Sequence, residues 1–572
     1  MDDPKSMKLG GPSSSPEGPS MERRMLVAFV LMGLVLFLTQ YLYKPSTPSP
    51  KKTAAQPSAQ AVAPEPSPPQ PKPAAATPPP SRVSAEQEDL VTLETSVYRV
   101  VLSNRGGVVR SWVLRNYRDG KGQPLDLVDP EGAQKTGWPL SVALNGQNGV
   151  PGFNQVLCAA RPAADGLGVD FEYAEGRTVL RKSIRLQKDR YLAQISSSVV
   201  IDGRPAPHVL TWRGGFGDRA MENQPATLHT LRFDLAQNKL IVEEAKAAKN
   251  GPVSHSGSFS FAGIEDKYFA AVALPDGPGT FEIRTYSDSR APAEGASEVA
   301  FLGMGVGGLD TNSFSLFAGP KDIDILRAVN PKLEQVVDFG WFGFIAKPLF
   351  LSLNWLNNRL VQNYGWSIVL LTVIINFLLL PLKYTSLRSM KKMQALQPQI
   401  AAINEKYKGI GLRDPRKSEQ QQEVMELYKK HGVNPMGGCM PMLLQLPFFF
   451  AFYKVLTVAI EMRGAEWLWV KDLSQPEHLP IRILPIAMIL SQFVMQKMTP
   501  TTSTDPTQQR MMMLMPLIFG FMFYGLSSGL VLYWLTGNLV GILQQWFFNR
   551  LGGPAPAPAA PPQVKSRKKA RK

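Results

Sequence analysis

The chain has 572 residues, enough for more than one domain, and carries a formal net charge of +16, from 62 Lys+Arg against 46 Asp+Glu. Its apolar residues are bunched into one run near the N-terminus and a dense series after residue 340, which excludes a wholly soluble protein. The five histidines are scattered, Cys158 and Cys439 fall in settings too different for a disulfide, and no HExxH, CxxC, GxSxG or P-loop occurs; metal and nucleophile chemistry have little support, and no cofactor is expected.

In chain order, residues 1–24 read as a polar, disordered cytoplasmic N-terminus, within which Met21, followed by Glu22, Arg23 and Arg24, would also make a natural start. Residues 25–43 predict a first membrane span. Its apolar core is long for a signal peptide and no A-x-A site follows; the two arginines before it favour a cytoplasmic N-terminus. Residues 44–85 are a Pro/Ala-rich linker. From 86 to 330 short alternating runs are broken by Gly, Pro, Asn and Asp. Val97–Leu102, then Ser103–Gly107, then Val108-Val109 reads as strand, turn, strand, and similar runs recur at Asp170–Tyr173, Arg190–Ile201, Phe281–Tyr286 and Phe314–Phe317. The reading is a large antiparallel β-sandwich beyond the first span. Single acids in it, such as Asp218 and Glu265, are expected in solvent or in turns.

Residues 331–358 are amphipathic and rich in Trp and Phe, which suits a helix in the headgroup layer or a plain connector. Residues 359–382 predict the second span, in which Asn376 stands alone among apolar neighbours. A buried amide without a partner costs roughly 4–8 kcal/mol on water-to-cyclohexane scales, so Asn376 must face protein, water or a bound molecule. Thr372 lies one turn before it and Lys383 seven residues after it, making a polar stripe; an interhelical hydrogen bond is the plainer alternative. Residues 383–436 predict a basic helical hairpin in water, with Met390, Met393, Leu396 and Ile400 facing Val424, Leu427 and Tyr428. Further spans are expected at 437–460, 481–497, 511–526 and 530–548, with loops at 461–480 and 498–510 and a basic tail at 549–572. That gives six spans with both termini inside. Two are short: Ile483–Gln496 covers only about 21 Å at roughly 1.5 Å per residue, and Met511–Leu526 about 24 Å, against a hydrocarbon core of about 30 Å.

Particular stretches carry a resemblance. Asn363-Tyr364-Gly365-Trp366-Ser367 leading into Pro381-Leu382, Leu396-Gln397-Pro398, Val433 to Cys439 leading to Gln445-Leu446-Pro447, Gln496-Lys497-Met498-Thr499-Pro500 with Asp505-Pro506, and Ser528 to Trp534 closely resemble the YidC/Oxa/Alb family of membrane protein insertases. The likeness is most specific in residues 340–550. The first span and the large β-domain resemble the Gram-negative form, which implies an inner membrane and a periplasmic β-supersandwich. The resemblance implies a groove open to cytoplasm and lipid, with wall positions at Tyr364, Thr372, Asn376, Gln445, Phe449, Met522, Tyr533 and Trp534. It further implies nascent membrane proteins as clients, inserted alone or beside the Sec translocon. The family usually has an arginine where this chain has Asn376. A hydrated polar groove is therefore expected to suffice here, with Lys383, about 10 Å nearer the cytoplasm by helix rise, adding positive potential.

Insertion of this kind moves polar backbone across oil without chemistry on a bond, so no catalytic residue is expected. Gln492 and Gln496 would extend the groove, and the methionines of residues 511–522, with Met440 and Met442, would adapt to varied clients or simply pack the bundle. Lys391, Lys392, Arg413, Arg416 and Lys417 of the hairpin, and Lys565, Arg567, Lys568, Lys569, Arg571 and Lys572 of the tail, suit ribosomal RNA or anionic lipid. A small-solute transporter would show an inverted repeat, and none is visible. An intramembrane hydrolase would need a partner for Ser491, and the spans offer no His or Lys at its depth.

Overall fold

The computed structural model describes residues 82–144, 152–219, 228–277, 280–290, 298–409, 414, 416–433, 440–499 and 506–551. The first span, most of the linker, Arg413, Cys439 and the tail cations Lys565 to Lys572 lie outside the described residues, as do the side chains of Lys417, Met440, Met442, Met511, Met512 and Met522.

The described residues between 82 and 320 form a β-domain of an eleven-stranded, a five-stranded and a four-stranded sheet. Among the described residues every strand pairing is antiparallel. Arg82–Val83, at the end of the expected linker, already pair with Ala174 and Glu175. The first predicted hairpin forms from Tyr98–Ser103 and Val108–Arg118, with Tyr98, Val100 and Leu102 buried and Arg99 turned out, as a period of two requires. Lys182 ties its turn to the large sheet, donating from Nζ to the carbonyls of Gly106 (2.7 Å), Gly107 (3.2 Å) and Leu140 (2.6 Å). Aromatic rings join the sheets: Trp112 of the four-stranded sheet lies 6.0 Å from Trp212 of the five-stranded one, and Phe281 of the latter lies 6.0 Å from Phe314 of the largest.

Two acids expected in solvent are buried. Asp218 is 1 % exposed and pairs with Arg463. Glu265 is 7 % exposed and pairs with Lys321 at 2.8 Å. Each has a cation brought from far along the chain, which local pattern does not display.

Beside them Asp266 is 1 % exposed, and its Oδ1 accepts from the backbone N–H groups of Tyr268 (2.7 Å) and Phe269 (2.6 Å). Burial outweighs these bonds and pushes the carboxyl up to about 6, from an ordinary 3.8. Such a group binds more protons folded than unfolded, so its contribution to stability is full below the unfolded value and is lost as pH rises through the folded one. We expect wild type to gain stability from Asp266 as pH falls from about 6 towards 3.8, and Asp266→Asn to lack that part of the gain. Thermal unfolding of the detergent-solubilised chain at pH 7 and pH 4.5 measures it; identical pH profiles would contradict burial as the cause.

Short helices among the described residues are α1, Pro130–Thr136, capped by Asp129, and, just after the last strand, α2, Ile323–Val329, capped by Asp322. The segment read as amphipathic divides. Pro331–Val336 is a 3-10 turn with Leu333 and Val336 buried, and α3, Gly343–Leu356, buries Ala346, Phe350 and Leu353. Trp341, Phe344 and Trp355 remain exposed. A π turn at Asn357–Val361 ends at Gln362, which takes the left-handed conformation (φ 53°).

The helical region then comprises α4 (Tyr364–Leu378), α5 (Leu380–Lys406), α6 (Arg416–Lys430), α7 (Met440–Val458), α8 (Ile483–Met498), α9 (Pro506–Phe523) and α10 (Ser528–Leu551). Among the described residues no single helix is long and apolar enough to cross a membrane on its own; α3 with its π turn and α4 reach that only as a pair, bent by 116°. α10 packs against both α4 and α8. The hairpin stripe forms a small core of its own: Met393, Leu396, Ile400 and Val433 are buried, with Met390, Val424, Leu427 and Tyr428 against them. Leu396→Ala should therefore cost about 2–5 kcal/mol locally. Hydrogen exchange should rise in α5 and α6 and not in the β-domain.

Candidate functional site

Asn363 opens α4 by accepting from the N–H of Trp366 at 3.1 Å. Pro381 interrupts the ladder between α4 and α5, because its ring nitrogen has no hydrogen to donate. The polar stripe spans this junction. Thr372, fully buried, donates from Oγ1 to the carbonyl of Ile368 at 2.6 Å. Asn376 is 3 % exposed; its Nδ2 donates to the Thr372 carbonyl at 2.8 Å, and its Oδ1 accepts from Lys383 Nζ at 2.5 Å. The main-chain carbonyl of Asn376 accepts from Gln544 Nε2 of α10 at 3.2 Å.

The Thr372 and Asn376 side chains are both covered here, and their donors bond to carbonyls one turn earlier in α4. Lys383 is not held a helix-rise away, because its long side chain folds back across the junction to cap Asn376. The interhelical hydrogen bond offered as the plainer alternative does exist, but it uses the main chain of Asn376 rather than its amide. Among the described residues Lys383 pairs with no carboxylate.

A second group gathers around α7 and α10. Gln445 Nε2 donates to the hydroxyl of Tyr533 at 3.1 Å, and Tyr533 stacks on Phe452 with ring centres 4.3 Å apart. Phe449, Phe523 and Trp534 pack edge to face or tilted, 5.0–6.0 Å apart. Trp534 Nε1 donates to Gln492 Oε1 at 3.3 Å, which gives Gln492 a partner on α10. Tyr364 belongs to neither group; its hydroxyl donates to Asn354 of α3 at 3.4 Å.

Sequence reasoning missed the amides of α10. Asn538 Nδ2 donates to Ser491 Oγ of α8 at 3.0 Å, and Gln545 Nε2 to the Met498 carbonyl at 2.6 Å. Gln544 is 8 % exposed, and its Oε1 has no partner among the described residues. The criterion that singled out Asn376, an amide in an apolar run, applies equally to all three. Of the hairpin cations, Lys392 is exposed, Lys391 donates to the carbonyl of Phe548 at 3.3 Å, and Arg416 is paired with Asp414 at 2.7 Å.

Comparison with known proteins bears on the whole chain. The family model described as YidC periplasmic domain matches residues 90–352, and the one described as 60Kd inner membrane protein matches residues 355–553. A protein of Pelobacter propionicus named membrane protein insertase YidC is 34 % identical over 554 residues, covering 93 % of this chain and 99 % of that protein. The chain belongs to the YidC family. A YidC protein of Geobacter metallireducens with the same name is 35 % identical over 550 residues, covering 93 % and 98 % of the two chains. A YidC crystal structure described as an active insertase with its first transmembrane domain resolved aligns over 92 % of this chain and 100 % of its own, at 19 % identity and a TM-score of 0.35. The periplasmic-domain match falls on the β-sheets and the inner-membrane match on the helices α4 to α10.

Proposed function

We propose that this chain is a membrane protein insertase that moves nascent membrane proteins from the cytoplasm into the inner membrane without nucleotide hydrolysis. The observation that carries the reading is similarity over nearly the full length of both chains to relatives bearing that name. The small-solute transporter reading finds no support in those relatives.

In this reading six segments span the bilayer: 25–43, 359–382, 437–460, 481–497, 511–526 and 530–548, with both termini cytoplasmic. The β-domain, 86–330, is periplasmic on its linker, and 331–358 lies in the headgroup layer with Trp341, Phe344 and Trp355 as anchors. The hairpin, 383–436, and the tail, 549–572, face the cytoplasm, where Lys392 and the tail cations meet the ribosome or anionic lipid. The Sec translocon is a partner for some clients.

The client is received at Lys383 and Asn376. An ammonium held by one neutral acceptor gains from a second, anionic partner. A carboxylate or other polar group in the client's short hydrophilic segment takes the place of Asn376 at Lys383. A cation that the family usually carries at position 376 is thus supplied from position 383. The amides of Asn376 and Gln544 then offer hydrogen bonds part-way across, where an unmade bond is costly. Gln445 and Tyr533, with Phe449, Met522 and Trp534, form a second contact for the client. Once its apolar segment meets lipid, burial of about 25 cal/mol per Å² drives the remainder.

Reconstitution of the purified chain in liposomes with a single-span client tests this. Protease protection of the client's tail without ATP is expected. Uptake of a small solute with no tail protection would overturn it.

A further inference from the structure

Residues 459–482 form a loop that joins three helix N-termini at one end of the bundle. The Glu466 carbonyl accepts from Asn363 Nδ2 at the start of α4 (2.9 Å). Glu477 accepts from the N–H of Leu484 at the start of α8 (2.9 Å). The Leu473 and Gln475 carbonyls accept from Gly529 (2.9 Å) and Ser528 (2.8 Å) at the start of α10. The loop is therefore a plate over that end, and its position is coupled to three helices.

One side chain of this plate leaves it for the β-domain. Arg463 Nη2 donates to Asp218 Oδ2 and to the carbonyl of Arg118 (2.6 Å), across 245 and 345 positions of sequence. Its guanidinium lies 5.6 Å from the Tyr268 ring and 5.5 Å from the Phe269 ring. The pair is covered, with side chains 11 % and 1 % exposed. The receiving pocket is built for it. Asp266 accepts from the N–H of Asp218 (3.2 Å), and Gly217 precedes it in the left-handed conformation (φ 83°), where an added Cβ would fall 1.8 Å from Asp266 Oδ2. On the plate side Gly464 (φ 67°), with open space around it, follows Arg463 directly.

Burying an ion pair gives up much hydration, so such a pair is a weak source of stability, but breaking it on one side is costly and its geometry is specific. We propose that Arg463 is a latch that fastens the β-domain to the plate and thereby limits how far the plate and the three helix ends can move. It is a positioning residue and touches no client.

The test uses the full chain in lipid nanodiscs. In Arg463→Ala the amides of Leu473, Ser528 and Gly529 should exchange at least about tenfold faster, while those of the Tyr98–Ser103 strand keep their protection. Arg463→Lys, which keeps the charge but not the fork, should lie between the two. The exchanged pair Arg463→Asp with Asp218→Arg should recover protection that either single variant loses. Unchanged exchange at Leu473 and Gly529 in Arg463→Ala, or equal loosening of plate and β-strands without recovery in the exchanged pair, would overturn the latch.

Discussion

Lys383→Ala is expected to lower insertion of a single-span client with an acidic tail by roughly tenfold to a hundredfold, because a hydrogen bond to a charged group contributes about 1.5–3 kcal/mol. Lys383→Arg should retain most activity, since charge and reach are kept. Asn376→Asp is the sharper variant. It sets a carboxylate against the ammonium that now bonds the amide, so the cation is already neutralised when the client arrives. It should fail nearly as badly as Lys383→Ala while leaving the bundle folded. Asn376→Ala should be milder, because Lys383 keeps its charge and its long stem lets the ammonium move towards the polar layer. Initial rates of tail protection in liposomes measure all four. Full activity in Asn376→Asp would show that the cation does not receive the client.

Gly365→Ala should destabilise the chain by about 1–3 kcal/mol, although it adds one methyl group. A Cβ there would lie 2.2 Å from two ring atoms of Trp467. That indole cannot step aside. Trp366 and Trp469 press on it at 5.5 and 5.8 Å between ring centres, and its main chain exchanges two 2.8 Å hydrogen bonds with Val470. The first turn of α4 would have to leave the plate, and the Asn363–Glu466 bond with it. Thermal unfolding in detergent should show a lowered midpoint. Because both substitutions act on one contact, Gly365→Ala should add little once Trp467→Ala has removed the ring. Additive losses would place the cause elsewhere.

Where a signal is local, sequence and structure agree. Strand alternation and the Ser103–Gly107 turn residues fit the first hairpin, and helical spacing of Met393, Leu396 and Ile400 marks the side of α5 that meets α6. Asn376 announced itself because an amide in an apolar run needs a reason. What pattern cannot display is a partner supplied by folding. Asp218 reads as a turn acid until Arg463 arrives from 245 positions away. Gln544 reads as one more residue of the last helix until it meets the Asn376 carbonyl, 168 positions earlier. Helix rise separates Lys383 from Asn376, yet a flexible side chain and the break at Pro381 bring them into contact.

The most direct test of the account is where an arriving client touches α4. A photoreactive residue at 376, on the covered polar stripe, should capture a stalled single-span client during insertion, as should one at 445. The same probe at 374, where Ile374 is 47 % exposed, should capture lipid instead. Capture of the client from 374 with silence at 376 and 445 would contradict passage by the Asn376–Lys383 pair.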